Sequence, residues 1–163
     1  IRRREIALPA EGDFFVIADA IRDPGNLGTL IRTCAAAGVD GLILTPGSVD
    51  PFAPKVIRAG MGAQFRLPIH TADWDAISTI LHSRPQPVRI LLSDVENGRP
   101  AWQTDLRSPV ALVIGSEAEG VSAAARQAAD DLIHIPMPGR SESLNAAIAA
   151  GILIFEVVRQ RDA

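Results

Sequence analysis

The chain has one cysteine and three histidines among its 163 residues. Because Cys34 is the only cysteine, no disulfide can form within the chain, and a reducing compartment such as the cytoplasm is expected. The histidines, at positions 70, 82 and 134, are scattered, so no Cys/His cluster has the spacing of metal ligands. The sequence therefore predicts no metal site.

Long apolar runs, repeats and low-complexity tracts are also missing. No apolar stretch reaches the length that spans a bilayer, and no signal-peptide pattern is present. The loosest linker, Arg84–Val88, is too short to separate two domains. With 47% hydrophobic and 21% charged residues, the composition predicts one soluble globular domain with a substantial core.

A strong positive charge is the third absence. The net charge of −3 argues against a protein that coats nucleic acid by charge alone. Lys55 is the only lysine among the 16 basic residues, and arginine suits bidentate contacts with phosphate. A genome rich in G and C would explain the same preference for arginine. The sequence therefore neither predicts nor excludes a local basic face.

What is present is a regular alternation of apolar segments with amphipathic or Ala-rich segments. The predicted strands are Phe14–Ala20, Gly41–Leu44, Arg66–His70, Arg89–Ser93, Val110–Ile114 and Leu132–Ile135. The predicted helices are Leu27–Ala37, Pro51–Ala59, Trp74–His82, Ser122–Ala129 and Asn145–Gln160. This order predicts an α/β fold with a parallel sheet that is covered on both faces.

In open sheets of this kind, ligands bind beyond the carboxyl ends of the strands, and the first predicted strand is followed by a polar loop. A turn at Asp23–Asn26 opens a helix, Gly28 permits a close approach, and Arg32 lies one turn further on the same face. A helix N-terminus with such an arginine is a reasonable phosphate site. A capped helix whose arginine extends into solvent accounts for the same residues.

A second loop follows the apolar strand that ends at Ile114. Gly115 permits an unusual backbone angle or close contact with a ligand, and Glu117 and Glu119 precede Gly120. The loop matches neither the Walker A pattern nor GxGxxG. Its two acids suit a neutral or cationic ligand better than a pyrophosphate, although a Gly-rich turn with helix-capping acids is the simpler interpretation.

A third loop follows the last predicted strand. Two prolines and a glycine within Ile135–Gly139 predict a rigid segment that can present backbone groups to a small molecule. Ser143 and Asn145 then place polar side chains at the start of the last helix. Ordinary helix capping also favours both residue types.

Taken together, the three loops resemble the motifs of the SpoU (TrmH-type) branch of the SPOUT RNA methyltransferases. The motif Asn-x-Gly-x-x-x-Arg matches Asn26–Arg32, and Gly-x-Glu-x-x-Gly matches Gly115–Gly120. The motif Ile-Pro-Met-x-Gly, followed by Ser-Leu-Asn, matches Ile135–Gly139 and Ser143–Asn145. The resemblance spans about residues 14–159.

A further segment, Arg58–Ala63, is similar to the family's Arg-Ala-Ser-x-Gly-Ala, with Gly60 in place of the serine. The third motif also departs from the family, because Ala146 and Ala147 replace its usual Val-Ser or Val-Ala. Neither change touches the residues to which the resemblance assigns catalysis.

The resemblance implies a parallel α/β sheet with a C-terminal deep trefoil knot. It also implies S-adenosylmethionine as cofactor and methyl transfer to a ribose 2′-hydroxyl of rRNA or tRNA. Residues 1–12 are then expected to be a linker or N-terminal stub, and residues 13–163 the catalytic domain. Such proteins form homodimers through the knot region and the last helix, where Ile148, Ile152 and Phe155 supply apolar contacts.

The resemblance also assigns roles to single residues. Catalysis falls to Arg32, Ser143 and Asn145, with Asn26 and Glu117 holding their loops. Cofactor contacts fall on Leu92, Gly115, Gly120, Ile135, Met137 and Leu144. Because arginine does not deprotonate in proteins, we expect Arg32 to hold a phosphate and to stabilise negative charge developing on the 2′-oxygen.

Two other classes of protein remain as alternatives. A catalytically silent RNA-binding or ribosome-assembly factor could keep the same fold, although the intact Arg32, Ser143 and Asn145 argue against it. A Rossmann-type nucleotide enzyme predicts an acidic residue after the second strand, where this chain has Thr45 and Pro46.

Overall fold

A computed structural model describes residues 7–95, 97–116, 119–139 and 143–163. Its strands are β1 Phe14–Asp19, β2 Gly41–Leu44, β3 Ile69–Thr71, β4 Arg89–Asp94, β5 Arg99–Pro100, β6 Val110–Gly115 and β7 Asp131–His134. Its α-helices are α1 Pro24–Ala36, α2 Pro54–Gly60, α3 Trp74–His82, α4 Ala123–Ala128 and α5 Ala146–Arg161. Short 3₁₀ turns occupy Ala63–Phe65 and Ala101–Gln103.

The strands form one seven-stranded sheet in the order β3-β2-β1-β6-β4-β7-β5. Every neighbouring pair is parallel, so the predicted parallel α/β sheet is confirmed. β6 lies between β1 and β4, and its Gly115 is in register with Asp19 of β1. The carboxyl ends of β1, β6, β4 and β7 therefore lie side by side at one edge of the sheet.

Both faces of the sheet are buried. All six residues of β1 are buried, and they alternate between two apolar clusters, with Val16 in one and Ile17 in the other. Buried residues of α1 and α5 fill the first cluster, and those of α3 and α4 fill the second. Among the described residues, no helix combines the length and the apolarity that crossing a membrane requires.

The helix α1 begins earlier than the sequence pattern predicted. The predicted turn is its first turn, because the Asp23 carboxylate accepts a hydrogen bond from the backbone N–H of Asn26 at 2.7 Å and caps the helix. Pro24 stands at the helix start, where its missing N–H costs nothing. The polar residues of the first motif thus lie on a helix rather than on a flexible loop.

Two strand predictions need correction. β3 begins at Ile69 rather than at Arg66, because the 3₁₀ turn before it runs into Arg66 and Pro68 follows. β5 was not predicted, since a two-residue strand is too short for a periodic pattern. It pairs with β7 at the edge of the sheet.

The segment before β1 is held against the domain by Arg84. Its guanidinium donates hydrogen bonds to the carbonyl oxygens of Pro9, Ala10 and Gly12 at 2.8–3.0 Å. It also lies over the ring of Phe15, 4.5 Å from the ring centroid. Residues 9–12, within the predicted linker, therefore pack on the fold.

Candidate active site

The second and third loops enclose one cavity at the carboxyl edge of the sheet, with a volume of about 240 Å³. Five of the residues predicted to contact a cofactor line it: Gly115, Gly120, Ile135, Met137 and Leu144. Ser143 of the third motif lines it as well. The end of β4 supplies Ser93, Asp94 and Val95, and α4 supplies Arg126.

Leu92, the sixth predicted cofactor residue, does not line the cavity. It is fully buried in the apolar cluster beneath α3 and α4. Ser93, the next residue of β4, faces the other side of the sheet and borders the cavity, and Asp94 borders it from the end of the strand. The predicted contact of Leu92 with the cofactor is therefore not supported by the cavity lining.

The second loop folds back on the end of β6. Ser116 and Gly120 exchange backbone hydrogen bonds of 3.0 and 2.9 Å, and Gly120 has a φ of +67°. A Cβ atom on Gly115 would lie 2.5 Å from the carbonyl carbon and oxygen of Gly120. Gly115 is thus required by the close approach of its own loop, not by a left-handed backbone angle. Glu117 lies outside the described residues.

The first and third motifs meet at the N-termini of α1 and α5. The Asn145 Oδ1 atom accepts hydrogen bonds from the backbone N–H groups of Ala147 and Ile148 at 3.0 and 3.2 Å, which caps α5. Its Nδ2 group donates to Asn26 Oδ1 at 3.0 Å. Each predicted asparagine therefore holds the start of one helix against the other.

Arg32 lies elsewhere on the surface. It is exposed on α1 and borders a second hollow that Arg66, Leu67 and Pro68 also line. It is not among the residues that line the cavity of Ser143. No carboxylate in the described part of the chain lies within ion-pair distance of Arg32 or Arg66.

Gly28 approaches a helix rather than a ligand. A Cβ atom added to it would lie 2.4 Å from Ala59 Cβ and 2.8 Å from the carbonyl oxygen of Val56. The glycine of the first motif is thus needed for the packing of α1 on α2. Gly60 of α2 also lies in this contact, and a Cβ added to it would lie 3.1 Å from Oε1 of the buried Gln64. That oxygen has no hydrogen-bond partner in the described part of the chain.

Two carboxylates at strand ends were missed. Asp19 is the last residue of β1 and is only 2% exposed, although its side chain is a carboxylate. Asp94 ends β4, accepts hydrogen bonds from Asn97 and pairs with Arg126 at 3.0 Å. A lone carboxylate directly after a buried strand is a signal that could have found both, because burial requires such a group to be paired or hydrogen-bonded.

Comparison with known proteins agrees with this geometry. The model of the SpoU rRNA Methylase family matches residues 13–155. The 23S rRNA (guanosine(2553)-2′-O)-methyltransferase RlmP of Bacillus subtilis is 35% identical over 87% of this chain and 56% of its own length. The 23S rRNA (guanosine-2′-O-)-methyltransferase RlmB of Xylella fastidiosa is 38% identical over 90% of this chain and 58% of its own.

Among solved structures, the SpoU methyltransferase AviRb of Streptomyces viridochromogenes, in complex with the cofactor AdoMet, superposes with a TM-score of 0.90 at 34% identity. That match covers 96% of this chain and 61% of AviRb. The chain thus spans less than two thirds of each of these three relatives. Its sheet is that of the SpoU-type SPOUT proteins, the fold that carries the trefoil knot, and the chain belongs to the SpoU rRNA methylase family.

Proposed function

We propose that this chain is the catalytic domain of an S-adenosylmethionine-dependent methyltransferase that modifies a ribose 2′-hydroxyl of rRNA or tRNA. The observation that carries the proposal is the single cavity formed by the second and third motifs, with the first motif attached to it through Asn26 and Asn145. The rRNA 2′-O-methyltransferases named above support the reaction class.

The cavity residues fit S-adenosylmethionine in their chemistry. Ile114, Val121, Ile135 and Leu144 offer apolar walls of the kind that hold an adenine ring. Asp94, which pairs with Arg126 at 3.0 Å, supplies a carboxylate at the border of the cavity. When bound, the cofactor supplies an electrophilic methyl group on a sulfonium centre.

Glu119 of the second loop does not line the cavity. It forms an exposed ion pair with Arg22 at 3.1 Å, so its charge is balanced at the surface. Asp94 is only 8% exposed in its side chain and lines the cavity together with Arg126, its ion-pair partner. Among the described residues, Asp94 is the carboxylate in the cavity lining, and its charge is shared with Arg126.

Protein groups on the substrate side have separate tasks. Ser143 brings a hydroxyl to the cavity, and Asn145 is fixed by the α5 cap and by Asn26. Arg32 and Arg66 border one hollow, and two guanidinium groups there suit phosphates of an RNA backbone. We assign to Arg32 the binding of a phosphate. Because Arg32 lies outside the cavity of Ser143 in its own chain, the stabilisation of charge on the 2′-oxygen that the motif implies requires Arg32 of a second copy of the chain.

We also propose that the protein forms a homodimer through α5. Ile148, Ile152 and Phe155 are exposed and recur at spacings of four and three residues, which places them on one helix face. That face continues from the cap at Asn145. Ile148→Lys combined with Phe155→Lys should halve the mass measured by light scattering, whereas Gln127→Lys on the exposed side of α4 should leave the mass unchanged.

A cytoplasmic location is proposed on the state of its single thiol. Cys34 is fully buried in the core, and this burial raises the pKa of the thiol far above its ordinary value. Such a thiol is unreactive and needs no oxidising compartment.

The reaction is tested by incubating the purified chain with methyl-labelled S-adenosylmethionine and total rRNA and tRNA, followed by nuclease digestion and mass spectrometry of the nucleosides. A 2′-O-methylated nucleoside that forms with the chain, and that is lost with Arg32→Ala, is the expected result. Binding of cofactor and RNA without transfer to any RNA would favour the silent RNA-binding factor instead.

A further inference from the structure

Asp19 forms a buried hydrogen-bond centre at the carboxyl end of β1. Its Oδ1 atom accepts hydrogen bonds from the Thr45 hydroxyl and from the indole N–H of Trp74, both at 3.1 Å. Its Oδ2 atom accepts one from the backbone N–H of Ser122 at 2.6 Å. One carboxylate thus connects β1 with the end of β2, with α3 and with the segment before α4.

All three partners act as donors. An indole and a backbone N–H can only donate, and the Thr45 hydroxyl already accepts from the backbone N–H of Ala20 at 2.9 Å, so its proton points to Asp19. A carboxylate has no proton of its own to place among these donors. An amide of the same shape would bring an N–H₂ group against at least one of them.

The hydrogen bond from the Ser122 N–H connects Asp19 with residues that line the cavity. Ser122 directly follows Gly120 and Val121, which line the cavity, and its hydroxyl caps α4 by accepting from the N–H of Ala125 at 3.1 Å. Gly115, at the other end of the same loop, is in register with Asp19 in the sheet. The carboxylate therefore lies beside Gly115, where the second loop begins, and holds its far end at Ser122.

A second interaction with this loop, an ion pair between Arg22 and Glu119, is weaker because it is exposed to solvent. Arg22 pairs with Glu119 at 3.1 Å, but the two side chains are 66% and 62% exposed. Exposed ion pairs contribute little to stability, whereas a buried hydrogen bond to a charged acceptor is costly to break. The buried hydrogen bond to Asp19 is therefore a stronger connection of this loop to β1 than the surface pair, and it adds to the backbone bonds between Ser116 and Gly120.

We propose that Asp19 is a positioning residue that holds the end of the second loop, residues 119–122, in the shape required for cofactor binding. The identity of the ligand rests on the proposed function, but the anchoring of the loop does not. Asp19 does not line the cavity, so it acts through the position of Gly120 and Val121.

The central variant is Asp19→Asn, measured first without cofactor. Hydrogen exchange of the backbone amides in residues 119–122 should accelerate about 10-fold, because the Ser122 amide loses its charged acceptor. The dissociation constant for S-adenosylmethionine, from calorimetry, should rise by about the same factor. Thr45→Val and Trp74→Phe are matched controls, since each removes one donor to Asp19 and leaves the bond to Ser122 in place.

A second pair of variants approaches the same bond from the loop. Ser122→Pro removes the N–H donor at a residue whose φ of −68° suits proline, and Ser122→Ala removes only the hydroxyl cap. Ser122→Pro should reproduce the loss of cofactor affinity seen with Asp19→Asn, and Ser122→Ala should not. If Asp19→Asn fails to fold, this pair of variants still tests whether the hydrogen bond between Ser122 and Asp19 is required for cofactor affinity.

The proposal is overturned if Asp19→Asn leaves both exchange and affinity unchanged. It is overturned equally if Thr45→Val and Trp74→Phe accelerate exchange in residues 119–122 as strongly, because Asp19 would then act only through general stability. A wild-type chain that binds no S-adenosylmethionine would refute the proposed function, while the exchange data would still decide the role of Asp19.

Discussion

The side-chain amide of Asn145 donates a hydrogen bond of 3.0 Å to the side-chain oxygen of Asn26, across 119 residues of sequence. The same Asn145 caps α5 with its other side-chain atom. The start of the first motif therefore contacts the end of the third, and the starts of α1 and α5 are fixed relative to each other. Asn145 consequently has a structural task that can be separated from any contact with substrate.

Substituting Asn145 in two ways separates these tasks. Asn145→Ala removes both the cap and the bond to Asn26, and it should lower the free energy of unfolding by about 1–2 kcal/mol. Asn145→Asp keeps the cap but replaces the Nδ2 donor with a carboxylate oxygen that faces Asn26 Oδ1, so about half of that loss is expected. Urea denaturation measures the difference, and methyl transfer should fall in both variants.

Equal destabilisation by the two variants would show that the bond to Asn26, rather than the cap, carries the stability. Asn26→Ala then provides the check, because it removes the same bond without touching the α5 cap.

Gly115→Ala should disrupt the cofactor cavity. The new methyl group would lie 2.5 Å from the backbone of Gly120, so the loop must move and the dissociation constant for S-adenosylmethionine should rise at least about 10-fold. Gly139→Ala is the matched control in the third loop, since a Cβ there meets no atom of the described residues within 4 Å. Calorimetric titration of both variants tests this, and equal affinity for the two would contradict it.

Gly28→Ala should separate α1 from α2. The added carbon would lie 2.4 Å from Ala59 Cβ, so a loss of about 1–3 kcal/mol in the free energy of unfolding is expected. Gly151→Ala, in the middle of α5, should act in the opposite direction. Its Cβ would meet only Thr33 Cγ2 at 4.0 Å, and alanine favours a helix interior by about 0.5–1 kcal/mol. Thermal and urea unfolding measure both signs.

Gly60 allows a test of the departure from the family motif. A serine at this position could donate a hydrogen bond to the unsatisfied Oε1 of Gln64, whereas an alanine could not. Both side chains meet the same crowding at 3.1 Å, so their difference isolates the hydrogen bond. Gly60→Ser should exceed Gly60→Ala in free energy of unfolding by about 1 kcal/mol, and an alanine variant of equal or greater stability would refute the bond.

Arg66→Ala should weaken RNA binding without affecting cofactor binding. Arg66 borders the hollow of Arg32 and lies outside the cavity. If it contacts one phosphate, the slope of log affinity against log salt should fall by about 0.7 for single-stranded RNA. Fluorescence anisotropy across a salt series measures the slope, and Arg107→Ala, at an exposed arginine paired with Asp105, is the control.

Much of the site was readable from local pattern. Apolar segments alternating with amphipathic ones indicated parallel strands, and parallel strands bring their carboxyl ends to one edge. The loops after these strands therefore had to lie near each other, and Gly115, Ile135 and Leu144 do line one cavity. Boundaries were less predictable where caps and prolines intervened, as at Asp23 and Pro24, because the cap rather than the apolar period sets the first turn.

The sequence by itself determined the α/β class, the three motif loops and their residue types, because these follow from local periodicity and from the chemistry of single side chains. Tertiary structure alone decided which residues meet. The placement of β6 between β1 and β4 puts Asp19 beside Gly115, where the second loop begins, and the packing of α1 on α2 explains Gly28. The tertiary structure also buries Leu92 in the core and places Arg32 outside the cavity. Such contacts join residues far apart in the chain, and no local pattern encodes the partner that a buried carboxylate or a crowded glycine will find.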